Sequence, residues 1–209
     1  MSDLSPVGIE RLFTREDGSF LFARWGRPLV PAILGGDEGQ RAALFGAFEA
    51  VADLAGVGTA ANDPDLGANL PVFVLRDWDE LLAVPNLDGL IPDLGALVAR
   101  LAAAEANQYR SFRFDGAGAI RLALVFVRLD AETRAVPFAD VALLQAVQTV
   151  LLWSDLAFRD RAPLVRAKGA AILRPDLGAL IRAAYDPALP AASSDPTLAY
   201  RLAARMGAG

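Results

Sequence analysis

The 209-residue chain contains no cysteine and no histidine. Without cysteine there is no disulfide, no thiolate nucleophile and no thiolate-bound zinc. Without histidine the commonest metal ligand and the commonest general base are both missing. Serine–histidine and cysteine–histidine catalysis are therefore excluded. Lysine occurs once, as Lys168, so an enzyme would have to rest on carboxylates, tyrosine, arginine or that single amine. Long hydrophobic runs are absent too. The longest apolar stretches meet a glutamine, arginine or aspartate within about ten residues, short of the roughly 20 that span a bilayer. The N-terminal MSDLSPVGIERLF carries neither the basic nor the apolar region of a secretory signal. A soluble, cytoplasmic protein without a membrane partner is the expectation. No repeat of solenoid period occurs.

What is present is a globular composition, 54 % hydrophobic and 22 % charged, rich in alanine and leucine and so inclined to helix. The length suits one domain over residues 1–209, with 1–17 and 190–209 as peripheral segments. The net charge is −5, with arginine and acid interspersed. No surface that would track phosphates is expected, and hence no nucleic-acid partner.

The chain is organised around Pro137–Asp155, PFADVALLQAVQTVLLWSD, which reads as one buried helix of about five turns. Pro137 suits the first helical position and Asp140 the first turn. At 100° per residue Leu143, Leu144, Val147, Val150 and Leu151 share one sector. Val141, Gln145, Gln148 and Leu152 form a stripe on the opposite side. Elsewhere, Ser19–Trp25 and Leu29–Leu34 read as extended, the latter an edge strand because of Pro28 and Pro31. Asp37 with Gln40 makes a capping box for a helix over 38–55, and Gly56 fits just past its end. Asn69–Leu75 reads as a strand, 76–80 as a charged connector and 93–106 as a helix. Gln108–Phe114 and Ala119–Leu129 form a hairpin whose second strand, apolar on both faces, is central. Val165–Leu173 is ambiguous between loop and short strand, and a helix opens at Arg174. The order predicts an α+β fold: a small mixed, mainly antiparallel sheet with helices packed on it and one long buried central helix.

Gln145 and Gln148, i and i+3 on an otherwise apolar line, need hydrogen-bond partners or a wet cleft. Asp77, Asp79 and Glu80 around Trp78 form an acidic cluster, readable as an acid pair, a hard-cation site or a solvated loop. Arg110, Arg113, Arg121 and Arg128 lie on the hairpin, as a basic stripe or as ordinary intramolecular pairs. The glycine pairs Gly35-Gly36 and Gly116-Ala117-Gly118 lack the context of a phosphate loop and read as turns.

Two short motifs, in this order of elements, resemble the zincin fold of metallopeptidases. More narrowly, they resemble a bacterial group of zincin-like domains of unknown function. One is Gln145–Asp155, QAVQTVLLWSD; the other is Leu180–Leu189, LIRAAYDPAL. In zincins the active helix carries H-E-x-x-H. Superposed, Leu144 takes the first histidine position, Gln145 the glutamate position and Gln148 the second histidine position. Asp155 falls in the turn after the helix. Tyr185 leans over a cleft, as a tyrosine does in some zincins, or anchors a helix end in the core. The resemblance implies that catalytic machinery and metal are absent: leucine cannot ligate, an amide is no general base, and glutamine is a poor zinc ligand. The expectation is a non-catalytic zincin-like domain without cofactor. It would act by binding or assembly, on an unknown protein or small polar ligand, through Gln145, Gln148, Asp155 and Tyr185. A carboxylate-dependent hydrolase using Asp77, Asp79, Glu80, Asp155 or Asp186 is the alternative; a homodimer docked through the C-terminal segment is another.

Overall fold

The computed structural model describes residues 4–167 and 169–207; Lys168 lies outside them. The elements in order are α1 (Pro6–Phe13), β1 (Phe22–Ala23), β2 (Pro31–Gly35), α2 (Glu38–Ala55) and β3 (Leu70–Leu75). A 3-10 helix (Trp78–Ala83) precedes α3 (Leu87–Leu90), α4 (Leu94–Ala103), β4 (Gln108–Phe114) and β5 (Ile120–Arg128). Then come α5 (Ala131–Arg134), α6 (Phe138–Val150), β6 (Leu164–Ala167), β7 (Ala170–Leu173), α7 (Pro175–Ala184), β8 (Ala192–Ser193) and α8 (Leu198–Met206).

The fold is α+β. A four-stranded mixed sheet has the order β2-β3-β5-β4; β2, β3 and β5 run parallel and β4 returns antiparallel along one edge. Two small antiparallel ribbons, β1-β8 and β6-β7, flank it. Period-two alternation sends the strand side chains to two separate cores. Val72, Val74, Ala123, Val125 and Val127 face α2, α6 and α7. Phe73, Leu75, Leu122, Leu124 and Phe126 face Trp78 and α4. With both faces covered, β5 is buried nearly throughout, as its unbroken apolar run requires. Pro31 opens the edge strand β2, where a missing N–H costs the ladder least.

The central helix is shorter than its sequence suggests. It is 13 residues long, ends at Val150, and takes Pro137 as its N-cap rather than its first helical residue. The reason lies in competition for its last carbonyls. Trp153 Nε1 donates to Val147 O at 2.8 Å, Trp25 Nε1 to Thr149 O at 2.9 Å and the Tyr185 hydroxyl to Val150 O at 2.7 Å. A helix end whose orphan carbonyls are met by side chains has no need of another turn. The following N–H groups are taken by the N-terminal segment: Leu152 N–H donates to Ala23 O and Ser154 N–H to Leu12 O. Leu151 is therefore extended, and the chain stays out of helix through Ser154 to a turn that opens at Asp155. The faces differ as well: Val141, Ala142, Gln145, Ala146, Thr149 and Val150 are buried, while Leu143, Leu144 and Gln148 are half-buried.

Ser19–Trp25 forms no continuous strand, because its residues bridge different partners in turn: Phe20 with Thr14, Phe22 and Ala23 with β8, Arg24 with Leu151, Trp25 with Ile120. The terminal segments expected to be peripheral contribute to the main core, α1 through Ile9, Leu12 and Phe13 and α8 through Leu198, Ala199 and Leu202. Among the described residues no helix is long and apolar enough to cross a membrane.

Candidate functional site

Period-two alternation on the edge strand β4 places Gln108, Arg110 and Phe112 on the face toward α6. Opposite them stand Gln148 on the last turn of α6 and residues Leu152–Asp155 beyond it. The latter are held against the N-terminal segment by Ser154 Oγ donating to Thr14 O at 2.6 Å and Arg15 Nη1 donating to Trp153 O at 2.9 Å. Between the two sides lies a cleft of about 500 Å³, closed at one end by Phe158 and Arg159. That volume falls in the range of small-molecule sites.

The floor is a polar knot. Gln145 Nε2 donates to Gln108 Oε1 at 2.7 Å, while Arg110 Nη1 donates to Gln145 Oε1 at 2.7 Å and Gln108 Oε1 at 3.2 Å. Gln145 is 2 % exposed, and these bonds satisfy an amide that burial would otherwise penalise. Among the described residues Arg110 faces no carboxylate within ion-pairing distance, whereas Arg121 meets Asp65 at 3.5 Å and Arg128 meets Asp130 at 3.5 Å. Desolvation by burial pulls the Arg110 guanidinium down to about 10, offset in part by the charge of Asp155. It is still protonated at neutral pH, so the floor holds a cation whose partners among the described residues are neutral amides. Gln148 Oε1 is buried and has no hydrogen-bond donor. Trp153 lies stacked on Phe13 at 5.3 Å and meets Phe158 edge-on at 5.2 Å, which fixes one apolar wall.

Of the residues singled out in the sequence, Gln148 and Asp155 line this cleft and Gln145 underlies it. Asp155 stands at the rim, its side chain 90 % exposed, 3.7 Å from Arg15. Tyr185 is elsewhere. Its hydroxyl donates to Val150 O and accepts the Trp25 N–H at 3.3 Å, its ring sits under Arg24, and burial pushes its pKa upward. It anchors the helix end and overhangs no cleft. The acidic cluster is also structural. Asp77 caps the 3-10 helix, and Glu80 Oε1 accepts the N–H groups of Arg76 and Asp77 at 2.8 and 2.9 Å. A carboxylate already engaged in this way is a helix-start device. Asp79 stays exposed beside it. Asp186 pairs with Arg205 at 2.5 Å. Asp155 is the one carboxylate among the cleft's lining residues, so no acid pair forms there. Among the described residues no cluster of three metal-ligating side chains occurs.

Sequence reasoning passed over Gln108, Arg15, Phe158 and Arg159, and left Arg110 within a general basic stripe. The alternation of β4 separates Arg110 from Arg113, which turns to the other face and donates to Leu90 O. What joins Gln108 to Gln145 is the tertiary placement of an edge strand over a helix residue 37 positions onward, and no local pattern encodes it.

A second crevice of about 750 Å³ lies at the C-terminal ends of β2 and β3, beside the start of α2. Its acceptors Asp37, Gln40 and Glu80 are all engaged in capping. Comparison of the chain with protein-family models, curated proteins and solved structures gives no match.

Proposed function

We propose that this chain is a non-catalytic binding domain of zincin-like architecture, and that it holds a small polar ligand in the cleft between β4 and the end of α6. The observation that carries the reading is Arg110: a protonated guanidinium at the floor of a concave site, without a countercharge in contact. Arg110 is half-buried, and a ligand group that meets its charge in a partly desolvated site makes a charge-assisted bond. The order of elements supports the architecture, with an antiparallel edge strand, a hairpin into the sheet and then the helix that would bear the metal motif. At the positions that would hold the catalytic glutamate and second histidine stand Gln145, tied to Arg110, and Gln148. Neither moves a proton near neutral pH.

The test is a set of ¹H–¹⁵N spectra recorded while small polar aromatic compounds, charged and neutral, are added. The expected shifts cluster at residues 108–112 and 148–159. Shifts scattered over the surface, or none, would remove the reading. Stoichiometric zinc retained through dialysis would remove the non-catalytic half of it.

A further inference from the structure

The chemistry around Arg110 narrows the ligand class, and this step rests on the cleft being a ligand site. Among the described residues Nη1 is the only guanidinium nitrogen of Arg110 with partners, and both partners are neutral amide oxygens. Nε and Nη2 have no acceptor among the described residues. Those two nitrogens form one planar edge, and a planar edge of two donors matches the two oxygens of a carboxylate. The aromatic wall supplies the other half of the recognition. Trp153 is 7 % exposed and cannot rotate, because Nε1 is bonded to Val147 O and its ring is packed between Phe13 and Phe158. Phe112 lines the cleft from the strand side, and Leu152 lies between. Arg15 and Arg159 also line the cleft, with Asp155 the one carboxylate among the lining residues. A rigid apolar wall beside a cationic edge suits a flat body bearing a carboxylate.

We infer that the cleft binds a small aromatic or similarly flat organic carboxylate, its two oxygens on the free edge of Arg110 and its body against Trp153, Phe112 and Phe158.

Calorimetric titration of the full chain with benzoate, benzamide and inorganic phosphate tests this. Benzoate is expected to bind one site at least about tenfold tighter than benzamide, the gap a charge-assisted forked pair provides over its neutral isostere. Arg110→Lys keeps the charge but loses the fork, and should weaken benzoate by a similar factor. Phe158→Ala leaves the Arg110 knot untouched and should weaken benzoate and benzamide alike, so the inference stays testable should the arginine variant fail to fold. If benzamide binds at the cleft as tightly as benzoate, the carboxylate class is wrong while the cleft remains a ligand site. If phosphate displaces benzoate with equal strength, the flat-body requirement is wrong. If neither benzoate nor benzamide binds, this inference and the proposed function fall together.

Discussion

Three aromatic donors end the central helix, and each is a single-residue lesson in where a helix stops. The Tyr185 hydroxyl is the most testable, because removing one oxygen leaves Val150 O buried without a donor. Tyr185→Phe should cost about 1–2 kcal/mol, read as a lower urea midpoint at unchanged slope. A second buried device is Asp63. It accepts the N–H groups of Asp65 and Leu66, the amide of Asn69 and the guanidinium of Arg27, while Asn69 in turn holds Val30 N–H and Pro28 O. Burial raises the carboxyl, but these donors outweigh it and hold its pKa at about 2. In the unfolded chain an aspartate titrates near ~3.9. The folded state therefore resists a proton that the unfolded state accepts. The stability contributed by Asp63 is present above about pH 4 and is lost as pH falls toward 2. Urea unfolding measured between pH 6 and 2 should show this loss. In Asp63→Asn the curve should be flatter over that window, though not flat, since Asp130 and Asp186 are also held low by their own partners.

At the scale of elements, the best-specified piece is α2. Asp37 Oδ1 accepts Gln40 N–H at 2.8 Å and Gln40 Oε1 accepts Asp37 N–H at 2.9 Å, and Gly56 closes the other end in the left-handed region at φ 74°. Asp37→Ala should cost about 1 kcal/mol in a denaturant titration, and Gln40→Ala should cost less because one arm of the box survives. Such local signals were legible in the sequence, because caps, turn glycines and strand alternation depend only on neighbours a few residues away. The hairpin, its central strand and the edge position of β2 were legible for the same reason. The end of α6 was not. Its residues Leu151-Leu152 are good helix formers, and what halts them is Trp25, Ala23 and Leu12, more than 120 residues earlier. The interrupted strand at Ser19–Trp25 has the same origin, since three of its four partners, β8, Leu151 and Ile120, come from distant parts of the chain. The site was half legible. Gln145 and Gln148 stood out as amides on an apolar line, but the arginine that gives the cleft its charge arrives on another element.

At the scale of the whole molecule, both chain ends belong to the core. α1 packs on α8 and α8 on α7, so the N-terminal helix, the C-terminal helix and the end of the central helix stabilise one another. Deleting residues 198–209 removes two buried leucines, Leu198 and Leu202, worth about 1.5–3 kcal/mol each by transfer. The loss should exceed ~3 kcal/mol and lower the urea midpoint of the entire domain, including the amides of α1 followed by hydrogen exchange. An unfolding midpoint unchanged by the deletion would show that α8 is an accessory. The same interlocking explains why the cleft wall at Leu152–Asp155 is rigid: it is fastened to the N-terminal segment by backbone bonds.

The central claim is that Arg110, without a carboxylate in contact among the described residues, waits for an anion at the floor of the cleft. The Nε–H resonance of Arg110 reports on that nitrogen directly. On titration with benzoate the account predicts a saturable downfield shift of this one arginine signal, absent with benzamide. If the signal is unmoved by saturating benzoate, or if zinc rather than benzoate perturbs Gln148 and its neighbours, the account is contradicted.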